Sequence, residues 1–245
     1  MNALPIGRDE RLAGRLSPQR LALALNALRE DGYVALLDAV DVADIDALRA
    51  TVEGCFGAAQ AAAVPRSRRR FQLPAPAGRC AEFERLVAHP LVTQIVLALL
   101  GHGAFVGSCG FDVNCPGSAA QPVHLDAAQL WPGLGEAHPA ASLVGNIPLV
   151  ETTDANGSTE LWPGTHRDTR FGLLVPQQVL ESARSTRSPV RANLPLGSVL
   201  LRDARLWHRG TENRSSAIRI VLSSTHHISW LGRERSAKPP IARAR

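Results

Sequence analysis

The first part of the chain carries hydrophobic residues at helical spacing. Leu21, Leu25 and Leu28 recur every three or four positions, which places them on one face of a helix. Ser17 suits the N-cap and Pro18 the first helical position, so this helix is predicted to begin at residue 18 and to end at the Asp-Gly pair that follows. The same reasoning predicts three further elements: a strand over 33–37 and helices over 41–54 and 81–100, the last one broken near its His-Pro pair.

From residue 104 onward, short apolar runs alternate with turn residues. Pairs such as Pro116-Gly117 and Pro163-Gly164 separate the runs. Many short strands with this spacing are typical of an all-β sandwich or barrel. The predicted strands cover 104–113, 123–130, 141–149, 158–161, 198–201, 206–208 and 217–226. The chain is therefore organised as helices first and a β core afterwards.

Three segments fit neither pattern. Residues 1–16 and 235–245 are predicted to be flexible ends of a single domain over 1–245. Residues 58–78 are irregular, with three prolines and an arginine cluster, and long irregular stretches in compact domains are often lids or binding loops. We therefore expect a gate that closes over a substrate, in which Phe71 covers an apolar part of that substrate. A solvated charged run is the alternative.

Composition narrows the class of protein. The formal net charge is +5, yet the basic residues are scattered and are not interleaved with aromatic residues, so nucleic-acid binding is not expected. The longest apolar stretch, 91–100, is too short to span a bilayer, and no secretory signal is visible, so no membrane association is expected. The four cysteines form no CxxC pair, which favours reduced thiols in a cytoplasmic enzyme.

The candidate chemistry lies in the β part of the chain. His124 and Asp126 are two positions apart, so on a strand both side chains point to the same face and can reach one metal ion. His208 is the best third ligand. Two histidines and one carboxylate that leave three positions open form the facial triad of non-haem iron(II) oxygenases. A bidentate cosubstrate fills two of those positions and dioxygen fills the third.

An arginine accompanies the third ligand. Arg219 lies eleven positions after His208, inside the apolar run 217–222. A buried arginine is costly unless an anion pairs with it, and its planar guanidinium matches a carboxylate with two parallel hydrogen bonds. Arg219 is thus a candidate to bind the far carboxylate of a dicarboxylic acid. The alternative is an outward-facing strand residue, because strand positions alternate between the two faces.

Several motifs in this order resemble those of a known family. The matching positions are Asp31 to Val34, His89 to Leu91, Leu99 to Gly101, Gln121, His124, Asp126, Thr153, Asn156 to Ser158, Pro163 to His166, His208, Gly210, Asn213, Ser215 and Arg219. They resemble the phytanoyl-CoA dioxygenase family of iron(II)/2-oxoglutarate enzymes, over roughly residues 20–228.

This resemblance implies a fold and a chemistry. The implied fold is mainly β with flanking helices around a double-stranded β-helix core, the cupin-like jelly-roll. The implied cofactors are Fe(II), 2-oxoglutarate and O2, with Arg219 binding the C5 carboxylate of 2-oxoglutarate, and Gln121 and Thr153 assisting near it. A small-molecule substrate, a natural-product or acyl intermediate, would be hydroxylated, desaturated or cyclised while 2-oxoglutarate becomes succinate and CO2. Asp126 fills the position that related halogenases leave without a carboxylate, so halogenation is not expected.

Two further residues are candidates to contact the substrate. Trp131 follows the metal strand closely, and Asn146 is a polar residue within the apolar run 143–149, where a buried amide needs a partner. Two other functions stay open. The first is a cupin-type metal enzyme that does not use 2-oxoglutarate, and the second is a member of the fold that binds a metabolite without turnover. The arginine in an apolar strand and the complete ligand set argue against them.

Overall fold

The computed structural model describes residues 1–54, 64–67, 69–75, 80–131 and 133–232. Within these ranges the chain forms eleven strands and six α-helices. The strands are β1 (Ala3–Pro5), β2 (Tyr33–Leu37), β3 (Val64–Ser67), β4 (Arg70–Pro74), β5 (Phe105–Asn114), β6 (Ser142–Pro148), β7 (Thr159–Leu161), β8 (Val190–Ala192), β9 (Val199–Asp203), β10 (His208–Gly210) and β11 (Arg219–His227). The helices are α1 (Arg8–Ala13), α2 (Pro18–Glu30), α3 (Val42–Gly54), α4 (Ala81–Val87), α5 (Pro90–Leu100) and α6 (Gln177–Arg184).

The strands form two sheets. The larger sheet has the order β1-β2-β9-β6-β11-β5-β4-β3, and the smaller sheet has the order β10-β7-β8. Their neighbouring strands are antiparallel, apart from the parallel pair β1 and β2. Side chains alternate between the two faces of a strand. We call the face of the larger sheet that carries Arg219, Val221 and Ser223 of β11 the inner face.

The opposite face of the larger sheet packs against helices. Ile220 and Leu222 of β11 belong to the main hydrophobic core, together with Leu28 of α2, Leu48 of α3 and Ile95 of α5. Each such side chain, when fully buried, contributes roughly 1.5–3 kcal/mol of hydrophobic stabilisation. Because this core holds one face of β11 against the helices, the alternating residues must point to the inner face.

The inner face has an apolar half and a polar half. In the apolar half, Tyr33, Ala35 and Leu200 of the larger sheet pack against Leu161 and Ala192 of the smaller sheet. The two sheets therefore face each other across this half. The polar half lies on β4, β5, β6 and β11, where register places these side chains on the inner face: Arg70, Gln72, Asp112, Asn114, Asn146 and Arg219.

The helices predicted from spacing are confirmed. α2 begins at Pro18, and the Ser17 side chain accepts a hydrogen bond from the backbone N–H of Arg20 at 3.4 Å. The predicted helix over 81–100 is broken at its His-Pro pair into α4 and α5. Among the described residues, one helical stretch, Ala81–Leu100, is long and apolar enough to cross a membrane by length and composition alone. In the fold α5 contributes core residues such as Ile95.

The expectation of a flexible segment over 1–16 is wrong. Its residues form β1, which pairs in parallel with β2, and α1. Leu4, Ile6 and Leu16 are buried in the main core. These isolated apolar residues lack a local period, and only the long-range pairing with β2 makes a strand of them.

The irregular segment predicted over 58–78 also differs from the structure. Its described part contains β3 and β4, an antiparallel pair that extends the larger sheet next to β5. Residues 58–63, 68 and 76–78 of the predicted gate lie outside the described residues, as does the tail from 233 to 245. Arg70, expected to be part of a solvated charge cluster or a gate, is instead buried, with 5% of its surface exposed.

One further strand differs from its prediction, and two elements were not predicted. Of the strand predicted over 123–130, a single residue, His124, is paired as in a strand. The backbone N–H groups of Asp126 and Ala127 then donate to the Ala204 carbonyl. The helix α6 and the strand β8 were not predicted. Leu180 of α6 packs with Trp162 and Trp207 in a separate cluster. Val179, Leu180 and Ala183 of α6 lie at helical spacing and face this cluster, but the helix is short and otherwise polar.

A glycine in the loop before β7 gives a test of the fold. Gly157 has a φ of +83°, and a Cβ there would lie 2.5 Å from Asn114 Nδ2 and 2.6 Å from the Thr211 carbonyl oxygen. Gly101 has a φ of +85° but open space around it. Gly157→Ala should therefore lower the free energy of unfolding by about 1–3 kcal/mol more than Gly101→Ala does, which is the usual cost of overpacking. Urea denaturation measures both, and equal losses would contradict the crowding.

Candidate metal centre

Three side chains meet at one edge of the inner face. One ligand atom from each of His124, Asp126 and His208 lies within 4.8 Å of the other two. The Nε2 atom of His208 is 3.6 Å from Oδ2 of Asp126, and the centroids of the two imidazole rings are 4.3 Å apart. The structure therefore brings together the three residues that the sequence pattern suggested as a metal site.

The backbone explains this meeting. His124 and His208 exchange two hydrogen bonds, from each N–H to the other's carbonyl oxygen, at 2.9 and 3.0 Å. Residues paired in this way in an antiparallel ladder place their side chains on the same side. Asp126 follows two residues later, with its backbone N–H donating to the Ala204 carbonyl at 2.8 Å. The two rings and the carboxylate are thus fixed by main-chain contacts.

Each histidine has one ring nitrogen occupied and one free for a metal. Nδ1 of His124 lies 2.9 Å from the Pro122 carbonyl, and Nδ1 of His208 lies 2.9 Å from the Leu206 carbonyl. A carbonyl only accepts, so each Nδ1 carries a proton and each Nε2 is the ring atom left to face a metal. Burial, with the nearby Arg202, lowers the pKa of His208 to about 3. His208 is therefore neutral, as a metal ligand must be.

The carboxylate is also in its ligating form. Burial raises the pKa of Asp126, but Arg202 and the two histidines outweigh that effect and hold the pKa well below its usual range. Nη2 of Arg202 lies 2.5 Å from Oδ2 of Asp126. About a third of the Asp126 side chain, 35%, is exposed, so the centre opens to solvent on this side. Two imidazoles and one carboxylate suit a divalent iron with open positions.

Arg219 points inward. It pairs with Asn114 across β5 and β11, on the inner face. The side chain is buried, with 5% exposure, and no ion pair or hydrogen bond of its guanidinium is found within the described ranges. Burial, with Arg70, lowers the pKa of Arg219 to about 10, so it is still a cation at neutral pH. Asp112 on the same face is a nearby carboxylate, but burial raises its pKa, so it balances the charge of Arg219 only weakly.

Arg70 stands across Asn114 from Arg219, in the next strand of the sheet. Its Nε donates to the Ala119 carbonyl at 3.0 Å, and its Nη2 donates to the Thr211 carbonyl. These contacts fix a second positive charge beside Arg219. The sequence offered one signal for it, since Arg70 and Gln72 alternate with the apolar Phe71 and Leu73, but the run is too short and polar to be recognised as a strand.

The two residues expected near a cosubstrate make local contacts. Oε1 of Gln121 accepts a hydrogen bond from the Gly210 N–H at 2.9 Å, so it ties the segment before His124 to β10. Oγ1 of Thr153 accepts from the Asn156 N–H at 3.3 Å, while Asn156 Oδ1 accepts from the Thr153 N–H at 2.8 Å. Gln121 therefore supports the metal segment, and Thr153 supports a turn.

The three candidate substrate residues are placed differently. Asn146 lies on the inner face and donates to Ser223 Oγ at 3.2 Å. Phe71 is on the opposite face, packed against the main core, because it alternates with the inward Arg70. That placement gives no support to a substrate contact by Phe71. Trp131 is half exposed and lies 5.3 Å from His138, centroid to centroid, outside the group of metal-facing side chains described above.

Two residues of the centre were missed in the sequence. Arg202 lies at the end of an apolar strand six positions before His208, and the argument that identified Arg219 applies to it equally. Leu174 pairs with His124 on the side away from His208, yet 65% of its surface is exposed. Its spacing from His124 carries no signal, because a loop and not a strand brings it there.

Comparisons with known proteins agree with this geometry. The family model described as phytanoyl-CoA dioxygenase (PhyH) matches residues 28–221. The dioxygenase aneA of Aspergillus aculeatus is 32% identical over 162 residues, which cover 61% of this chain and 49% of that protein. The dioxygenase FrzG of Cladobotryum sp is 31% identical over 135 residues, covering 54% and 44%. The chain spans about half the length of these curated relatives.

Solved structures share the fold. The non-haem α-ketoglutarate-dependent carbocyclase SnoK from nogalamycin biosynthesis superposes with a TM-score of 0.65 at 22% identity, covering 88% of this chain and 85% of that one. The epimerase SnoN, in complex with Fe3+, α-ketoglutarate and nogalamycin RO, gives a TM-score of 0.69 at 18% identity, covering 86% and 84%. The predicted fold, mainly β with flanking helices around a jelly-roll core, is confirmed, with sheets that do not close. With 28–221 matched, the chain belongs to the phytanoyl-CoA dioxygenase (PhyH) family.

Proposed function

We propose that this protein is an iron(II)- and 2-oxoglutarate-dependent oxygenase that acts on a small organic molecule. One observation carries the proposal: a cluster of two imidazoles and a carboxylate contacts the inner face at Arg202, and the same face carries the buried Arg219, which has no ion pair or hydrogen bond in the described residues. A metal-only centre would leave that arginine without an anion. A dicarboxylic cosubstrate meets both features, since one end chelates the metal and the other end pairs with Arg219.

Each side chain of the centre has a defined task. Nε2 of His124, Nε2 of His208 and the carboxylate of Asp126 would hold Fe(II), and their backbone and Nδ1 contacts keep them oriented before the metal arrives. Bound iron supplies the activation of dioxygen. In the overall reaction one oxygen atom enters the substrate C–H bond, and the other enters succinate as 2-oxoglutarate loses CO2.

The cosubstrate is held by charge and by shape. The guanidinium of Arg219 binds the C5 carboxylate of 2-oxoglutarate with two parallel hydrogen bonds. Arg70 adds a second fixed positive charge at the same end of the inner face. Gln121 and Thr153 act near the cosubstrate by holding the segments that surround it.

The substrate reaches the centre from the exposed side of Asp126. Asn146 on the inner face supplies an amide for hydrogen bonding, and the exposed Leu174 beside His124 supplies apolar contact. Trp131, on the loop after the metal segment, is a further candidate for the approach route. Hydroxylation, desaturation and ring closure of a natural-product or acyl intermediate all fit this site. A screen of such compounds that measures succinate formation tests the function, and iron-dependent succinate is the expected result.

The ligand set predicts the loss of metal binding in two variants. His124→Ala and His208→Ala should each weaken Fe(II) binding at least about 100-fold, because the loss of even an outer partner of a metal ligand costs roughly 10–100-fold. Iron content after anaerobic reconstitution measures this. His102→Ala, an exposed histidine remote in sequence, is the matched control and should keep its iron. Parent-like iron content in both ligand variants would refute the centre.

The cosubstrate role of Arg219 predicts a change in 2-oxoglutarate affinity. Removing one partner of a buried charge pair costs about 2–5 kcal/mol, so Arg219→Ala should weaken 2-oxoglutarate binding by a factor of roughly 30 or more. Arg219→Lys should restore little of it, since an ammonium lacks the planar fork. The weak visible charge-transfer band in an anaerobic titration reports binding. Arg209→Ala is the control, because Arg209 pairs with Glu160. Unchanged affinity in Arg219→Ala would rule out this role.

The carboxylate of Asp126 predicts the outcome of the reaction. Because Asp126 occupies a coordination position, the parent enzyme should insert oxygen or abstract hydrogen and should form no chlorinated product in chloride buffer. Asp126→Gly should lose hydroxylation. Mass spectrometry of the product from the first substrate that supports succinate formation makes the measurement. A chlorinated product from the parent would contradict the assignment.

A further inference from the structure

Arg202 is the inner-face residue closest to the carboxylate of the metal centre. It lies on β9 and pairs with Tyr33 of β2 and Val144 of β6, which places it on the inner face. Only 5% of its surface is exposed. Its Nη2 lies 2.5 Å from Oδ2 of Asp126. The strand therefore delivers a buried cation directly to one oxygen of a candidate metal ligand.

Two other buried arginines, Arg70 and Arg205, have hydrogen-bond partners for their guanidinium groups, whereas most of the Arg202 guanidinium has none. Arg70 donates to two backbone carbonyls, and Arg205 donates to Asp203 and to the His138 carbonyl. Nε and Nη1 of Arg202 are buried and have no hydrogen-bond partner in the described part of the chain. Leaving buried donors unpaired is costly, so neither packing nor carbonyl bonding explains this arginine. Its ion pair with Asp126 is the polar contact that the described residues give it.

A carboxylate can bind a metal through one oxygen or through two. The proposed reaction needs three open positions on the iron, two for 2-oxoglutarate and one for dioxygen. If Asp126 used both oxygens, one of these positions would be lost. Oδ2 of Asp126 lies near both Nη2 of Arg202 and Nε2 of His208. A charged N–H donor on this oxygen fixes the plane of the carboxylate and competes for the oxygen's lone pairs, which leaves Oδ1 as the oxygen for the metal.

We propose that Arg202 is a positioning residue that holds Asp126 as a one-oxygen ligand and so keeps the third position of the metal open. This inference rests on the proposed function, because the open position matters only if 2-oxoglutarate and dioxygen bind the metal. The test is independent of the proposed function, since the number of open positions can be measured with a metal alone.

The test compares Arg202→Met with the parent. Methionine is long and apolar, so it fills the space without an N–H donor. With Mn(II) bound, water-proton relaxation reports the waters on the metal, and the variant should show a decrease of about one third, from three open positions to two. On enzyme saturated with Fe(II), the affinity for 2-oxoglutarate should fall at least about tenfold, the lower end of the usual effect of an outer partner.

Two further variants sharpen the comparison. Arg209→Met removes another partly buried, ion-paired arginine beside His208 and should match the parent in both measurements. Arg202→Lys keeps a charged N–H donor and should recover most of the metal-bound water. A charge effect alone would weaken 2-oxoglutarate binding in Arg202→Met without changing the water count.

Unchanged relaxation in folded Arg202→Met would overturn the proposal, whether or not the variant is less stable, because the arginine would then be structural or directed at the substrate. If the methionine variant does not fold, Arg202→Leu, which also lacks an N–H donor, takes its place with the same expected and contrary results. A parent that binds Mn(II) but shows no 2-oxoglutarate band would refute the proposed function, and the relaxation comparison would still decide the role of Arg202.

Discussion

The pair of backbone hydrogen bonds between His124 and His208 is the contact on which the centre depends. It joins a short segment between β5 and β6 to the smaller sheet, and it sets both imidazole rings on one side. The ladder continues on both sides, to Leu174 in one direction and, through the Gln121 side chain and backbone, to Gly210 along the strand. A metal ion then needs only to join side chains that the main chain has already aligned.

The inner face carries more positive charge than its own carboxylates balance. Arg70 is bound to carbonyl oxygens, Arg202 is paired with Asp126, and Arg219 has no partner within the described ranges. Asp112 lies among them, and burial raises its pKa, which weakens it as a counter-charge. Buried cations are tolerated where an anion completes the site. In the proposed function, the dianion 2-oxoglutarate would balance this excess positive charge.

Local patterns predicted the elements whose own residues carry a clear spacing or capping signal. The helix that begins at Pro18 and the strand 33–37 follow from spacing and capping alone, whereas β1 and β4 exist because of pairing with distant strands. The His124 and Asp126 pair was visible because a separation of two residues fixes a common face. The direction of the Arg219 side chain was not visible in the sequence, because a strand residue can point to either face of the sheet. Only the register with Asn114 shows which face Arg219 occupies.

The boundary between the two halves of the inner face explains how the centre can be both protected and accessible. His208 is paired with Leu161, which packs in the apolar half, so its ring is shielded from water on that side. Asp126 lies at the open side, with Leu174 exposed next to His124. A substrate that enters there meets an apolar leucine and a polar centre in succession, which favours a molecule with a hydrocarbon framework over a fully polar one.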